Sequence, residues 1–146
     1  MNPTFLKMFV MARSRLLHLL PVITENDLSK RLNPESNSIG FLLKHIAEVE
    51  QLFAKNVFGL EIKVTANTIG KTKDSGRYIN LSELLESLSA AEKVLTMALQ
   101  SQKEEDWESN ITTAEFGTIT KAEALARIIS HTAYHSGQIA LILKYG

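Results

Sequence analysis

The chain contains no cysteine. Disulfide bridges, thiolate metal sites and a thiol nucleophile of the protein's own are therefore excluded, as fits a cytoplasmic location. It also lacks any apolar run near the roughly 20 residues that span a bilayer, and any signal-peptide pattern of a short apolar stretch before a small-residue cleavage site. Charge of one sign is not in excess, since 16 basic residues face 16 acidic ones. That balance gives no basic field for nucleic acid and none for an anionic membrane, so neither is expected as a partner. One local exception is the start of the chain, where Lys7, Arg13 and Arg15 meet no acid before Glu25. An arginine-bearing amphipathic start can serve as a targeting peptide. Its apolar positions are needed for a core helix, and a core helix is the expectation. Internal repeats, low-complexity segments, glycine-rich phosphate loops and nucleophile-elbow serines are all absent.

What is present is an ordinary globular composition. The 146 residues are 45% apolar, with a mean hydropathy near zero. A chain of this length can bury one good core, so residues 1–146 are expected to form a single domain.

Four stretches carry helical period. The first runs from Pro3 to Leu20, with Phe5, Met8, Phe9, Ala12, Leu16 and Leu19 as its stripe and Pro21 as its stop. A short helical turn is expected around Glu25 to Arg31. The second helix runs from Ser38 to Phe58. Leu42, His45, Ile46, Val49, Leu52 and Phe53 lie on one side, and Lys44, Glu48, Gln51 and Lys55 mostly on the other. Ser36 or Ser38 caps it and Gly59 ends it. The third runs from Leu81 to Gln102, opened by an Asn80–Glu83 capping box. The fourth runs from Lys121 to Lys144, opened by Thr120 and Glu123 in the same way.

The connections at 60–80 and 103–120 are long. Structureless loops above roughly 12–15 residues are uncommon in compact domains and are often functional. Short strands are expected in both, the first from the alternation Glu61-Ile-Lys-Val64. Long connections also let the chain cross the bundle end, so sequential helices need not be neighbours.

Only four histidines occur: His18, His45, His131 and His135. His131 and His135 are four apart on the fourth helix, a spacing that stacks side chains on one face. That face also carries Ala124, Ile128, Gln138 and Ile142, so it looks inward and its imidazoles need partners. His45 sits among Phe41, Leu42 and Val49 on the second helix. If the second and fourth helices pack together, the three rings can converge on one divalent metal and leave a position open. A metal-free bundle with hydrogen-bonded core histidines is the plain alternative. His18 lies on a more polar face with Met11, Ser14 and Arg15 and is read as a surface residue. Thr132 stands where a His-Glu-x-x-His protease would have its glutamate, and no Glu-x-x-His pair of a di-iron bundle is present. Gln138, one turn beyond His135, is a candidate to orient a ligand or bound water. Gly137 is read as a point of close helix–helix approach, and Trp107 and Tyr134 as aromatic packing with pocket lining as the alternative. Glu48, on the solvated side, is the weaker candidate for a base.

The segment His131-Thr-Ala-Tyr-His135-Ser-Gly-Gln138-Ile resembles the fourth-helix signature of the DinB-like superfamily. Ser38-Ile-Gly-Phe-Leu-Leu-Lys-His45-Ile-Ala-Glu-Val-Glu resembles its second-helix signature. The resemblance covers nearly the whole chain. It implies an all-α four-helix bundle with crossed connectivity, the second and fourth helices side by side. It also implies a divalent metal, zinc or nickel or another, held by His45, His131 and His135. One common variant of the family carries glutamate at the first fourth-helix histidine; this chain has His131 there. Family members include S-transferases that use bacillithiol, mycothiol or glutathione, and mycothiol-dependent maleylpyruvate isomerases; some associate as homodimers. For this chain the resemblance implies a metal-dependent enzyme acting on a small-molecule substrate, a thiol S-transferase in particular. In such a site, three neutral imidazoles leave the metal doubly positive, and water or thiol entering the open position loses a proton readily. A non-catalytic metal-binding or stress-response bundle is the rival.

Overall fold

A computed structural model describes residues 3–146. Helix α1 spans Pro3–Leu19, α2 Ile39–Asn56, α3 Leu81–Gln100 and α4 Lys121–Tyr145. Single turns of 3-10 helix follow at Leu20–Val22, Glu25–Asp27 and Glu104–Glu108. Strands β1 (Asn110–Thr113) and β2 (Gly117–Thr120) form one antiparallel hairpin in which Ile111 faces Ile119.

The helix starts follow from local chemistry. Free backbone N–H groups at a helix N-terminus need acceptors, and short polar side chains supply them. Ser38 Oγ accepts from Phe41 N at 3.2 Å. Thr120 and Glu123 form a complete capping box, Oγ1 accepting from Glu123 N at 3.1 Å and Oε2 from Thr120 N at 2.8 Å. At α3 only half of the expected box is made among the described residues, Asn80 Oδ1 accepting from Glu83 N at 3.1 Å. Past the end of α2 the chain reverses at Gly59, whose φ of 76° suits a residue without Cβ.

Helix α2 packs against both α3 and α4, whereas α1 packs mainly on α4 and touches α3. The bundle core has two parts. One gathers Leu16, Leu28, Leu43, Ile46, Leu88 and Ile139; the other gathers Phe9, Phe53, Leu95, Leu99, Trp107 and Ile128. The inward row of α1 is Phe9, Arg13 and Leu16. Met8, expected inside, is 47% exposed because that row runs one residue further on.

The connection at 60–80 contains no strand, contrary to expectation. Its alternation does turn Ile62 and Val64 partly inward, but no neighbouring segment pairs with it. The connection instead folds back over α2. Gly40 makes this approach feasible, since a Cβ there would stand 1.9 Å from Tyr78 O. The close-packing glycine is thus Gly40, not Gly137, which is exposed and whose Cβ would meet nothing within 4 Å. No helix among the described residues is long and apolar enough to cross a membrane.

Candidate metal centre

The three inward histidines meet where α2 and α4 face each other. His131 Nε2 lies 3.0 Å from His45 Nε2 and 3.2 Å from His135 Nε2. Ligand nitrogens of all three lie within 4.8 Å of one another. His18 is exposed on α1, as expected.

The far side of each ring differs. His135 Nδ1 is 2.6 Å from Gln138 Oε1, while Gln138 Nε2 donates to Tyr134 Oη at 3.3 Å. A carbonyl oxygen only accepts, so His135 carries its proton on Nδ1 and turns an Nε2 lone pair inward. His45 Nδ1 is 3.2 Å from Thr68 Oγ1. His131 Nδ1 is buried without a hydrogen-bond partner.

Burial disfavours the charged form of an imidazole. It lowers His45 and His135 below the ordinary 6.5 and takes His131 to about 3, with the charge of neighbouring rings adding to the effect at His45 and His131. The rings are therefore neutral near pH 7, the state that donates electron pairs. Metal–imidazole bonds of 2.0–2.1 Å at tetrahedral angles place ligand nitrogens about 3.3 Å apart. The 3.0 and 3.2 Å separations match that spacing. The donor set thus fits one divalent ion held by His45, His131 and His135.

Glu48 is not on a solvated face; it is 2% exposed. The folded-back connection covers it, and Oε2 accepts from Asn67 N and Thr68 N, each at 2.9 Å, and from Thr68 Oγ1. That commitment to the connection leaves Oε2 no role as a mobile base. Thr68 itself is 3% exposed and had no motif to mark it.

A cavity of about 680 Å³ opens beside the rings, with His45 and His131 in its wall. Val49 and Phe53 of α2, Ile69 of the first long connection, Phe116 of the hairpin, and Arg127 and Tyr134 of α4 line it. Both long connections therefore wall the pocket. Arg127 lies over the Phe116 ring, 4.8 Å from its centre. Trp107, by contrast, is core: it is 2% exposed and packs 4.3 Å from Phe5 and 5.9 Å from Phe58.

Solved structures with this fold exist. A mycothiol-dependent maleylpyruvate isomerase superposes with a TM-score of 0.72 at 14% identity over 98% of this chain, which spans 66% of the isomerase. YfiT from Bacillus subtilis, described as a probable metal-dependent hydrolase with an unusual four-helix bundle topology, gives 0.70 at 14% identity, over 97% of this chain and 85% of that one. A conserved protein from Enterococcus faecalis gives 0.66 at 16% identity, over 99% and 98%. No curated protein sequence matches the chain. The sequence profile of the DinB superfamily, however, matches residues 8–139, and the chain belongs to that superfamily.

Proposed function

We propose that the chain is a divalent-metal-dependent enzyme that joins a low-molecular-weight thiol, through its sulfur, to a small electrophile. The observation that carries the proposal is that two of the three converged histidines, His45 and His131, line a mainly apolar cavity of about 680 Å³. A purely structural ion has no need of such a space. Two structural relatives, one named for mycothiol and one for metal-dependent hydrolysis, support the same direction.

His45, His131 and His135 would hold the ion, zinc or nickel, as neutral donors. Bound there, a divalent cation supplies Lewis acidity that lowers the pKa of a thiol or water reaching it. Gln138 holds the His135 ring in its donor tautomer. Val49, Phe53, Ile69 and Phe116 exclude water from an apolar substrate body. The thiol sulfur bonds to the electrophilic carbon, the leaving group departs with its electron pair, and the thiol proton passes to solvent. The protein needs no cysteine, because the nucleophile arrives with the co-substrate.

The test is turnover of the zinc- or nickel-loaded protein with glutathione, bacillithiol or mycothiol and a chloronitrobenzene electrophile. Thiol consumption that a chelator stops supports the proposal. Stoichiometric metal with no consumption of any of the three thiols removes S-transfer and favours a non-catalytic metal-binding bundle.

A further inference from the structure

We propose that Thr68 and Glu48 form a relay that fixes the tautomer of His45 and fastens one pocket wall to the metal centre. The inference rests on the metal reading only for its second half. The first half follows from hydrogen-bond bookkeeping alone.

Glu48 Oε2 accepts from the backbone amides of Asn67 and Thr68. An oxygen that already takes two N–H groups is an acceptor toward the Thr68 hydroxyl as well. The hydroxyl has one proton, and the short contact to Oε2 shows where it goes. Thr68 Oγ1 then has only lone pairs left for its other neighbour, His45 Nδ1, at 3.2 Å. His45 must donate from Nδ1, which leaves its Nε2 lone pair facing His131 Nε2 at 3.0 Å. The sequence Nδ1–H to Thr68 to Glu48 thus does for His45 what Gln138 does for His135.

The relay is built from two elements that chain order keeps apart. Glu48 follows His45 by three positions on α2, so both project toward the same side. Thr68 arrives from the long connection, one residue before Ile69 and Gly70, which line the cavity. Glu48 and Thr68 are both buried, at 2% and 3% exposure, so water does not substitute easily for either. Partners of this kind fix ring orientation and raise ligand basicity, and their loss costs about 10–100-fold in metal affinity. An ion on His45 pulls on the Thr68 hydrogen bond, so metal binding and order in residues 67–70 become linked.

The experiment uses wild type, Thr68→Val, which keeps the shape and removes the hydroxyl, and Thr68→Ser, which keeps the hydroxyl. Ring nitrogen shifts by NMR on metal-free protein report the His45 tautomer. Chelator competition reports zinc affinity, and amide exchange reports residues 67–70 with and without zinc. The expected result is an Nδ1–H tautomer in wild type and a lower Nδ1–H population in Thr68→Val, where only the backbone of residue 68 is left to hold the ring. Zinc binding should weaken about 10–100-fold in that variant and return in Thr68→Ser. Zinc should slow exchange at 67–70 in wild type and much less in Thr68→Val, an effect that simple destabilisation of the loop does not give. An Nε2–H tautomer of His45 in wild type overturns the relay without any variant. So does a folded Thr68→Val protein that keeps the wild-type Nδ1–H population and binds zinc within twofold of wild type. Wild type that binds no zinc defeats the metal half, and the tautomer result still decides the role of Thr68.

Discussion

Helices α2 and α4 carry two buried polar clusters, and the two are finished differently. The first centres on Arg13 of α1, which is 1% exposed. Its Nε and Nη2 each donate to Glu50 of α2 at 3.2 Å, Nη2 also to Leu88 O at 2.7 Å, and Nη1 to Glu92 of α3 at 3.0 Å. Thr132 of α4 adds its hydroxyl to Glu50 at 3.1 Å. All four helices meet in that network, where Arg13 pairs with the buried Glu50 and with the part-exposed Glu92. The histidine cluster stands beside it in sequence, with His131 adjacent to Thr132 and His45 five residues before Glu50. There at least one inner nitrogen lone pair faces other nitrogens, and the His131 Nδ1 has no partner. A buried polar cluster that satisfies itself holds helices together; one whose ring nitrogens converge with an atom left unpartnered is the one whose donors fit a ligand.

The largest effect that separates the clusters is expected from Arg13→Met. Removing one partner of a buried ion pair costs about 3–5 kcal/mol, because the other charge is stranded. Burial already pushes the Glu50 carboxyl above its ordinary value, and Arg13 opposes that push. An acid with a raised native pKa loses stability as pH rises through the interval above its unfolded value, so the variant should partly recover in acid. Urea denaturation at pH 7 and pH 5 measures both. Zinc affinity of the folded variant should stay within a few-fold of wild type. A variant no less stable than His131→Ala would break the comparison.

The next effect is acid loss in the metal-free protein. A buried neutral histidine binds its proton less readily when folded, so the unfolded chain gains protons first as pH falls. Its contribution is complete above about 6.5 and is lost progressively down to about 3 for His131. Between pH 7 and pH 4 this amounts to roughly 3 kcal/mol from that ring. Glu50 acts in the opposite sense, so the clean reading is the difference between wild type and His131→Ala at the two pH values. That difference should shift toward the variant in acid; parallel curves would show that His131 is not held neutral.

Zinc content separates the clusters with less change in stability. His131→Ala should hold under a tenth of the wild-type zinc, measured on protein purified without chelator. Its metal-free stability should drop by about 1–2 kcal/mol, less than for Arg13→Met, since a half-satisfied ring is lost rather than a charge partner. Equal zinc in both proteins would remove His131 from the ligand set.

The histidine cluster was legible in the sequence because its signal is local. Spacing put His131 and His135 on one face, and the stripe of α2 put His45 inward. Caps at Ser38, Asn80 and Thr120 marked three helix starts within a residue. The Arg13 cluster had no local signature in the sequence because its partners lie on different helices. Arg13 is in phase with Phe9 and Leu16, and Glu50 with Ile46 and Phe53, so each sits on a core face as a charge awaiting an opposite one. That phase was the available signal. Glu48 and Thr68 had no such signal, since their burial depends on residues 57–80 folding back over α2 at Gly40. The connection at 103–120 showed its strands because a hairpin pairs with itself, whereas Ile62 and Val64 had no neighbour to pair with.

The smallest expected effect tests whether the clusters are independent. Both hang on α4, Thr132 in one and His131 and His135 in the other, so a change in that helix's backbone reaches each of them. Gly137→Ala supplies it without touching a side chain of either, because the new methyl meets nothing within 4 Å. Alanine is favoured over glycine inside a helix by about 1 kcal/mol. The variant should therefore gain up to that much stability, read as a rise of a few degrees in Tm for a chain of this size. Zinc affinity should stay unchanged, because the ring positions are set by Gln138 and Thr68 at their far nitrogens and not by helix stiffness. A stability gain accompanied by a tenfold change in zinc affinity would mean that α4 transmits strain between the clusters, and that the site depends on the helix being loose at Gly137.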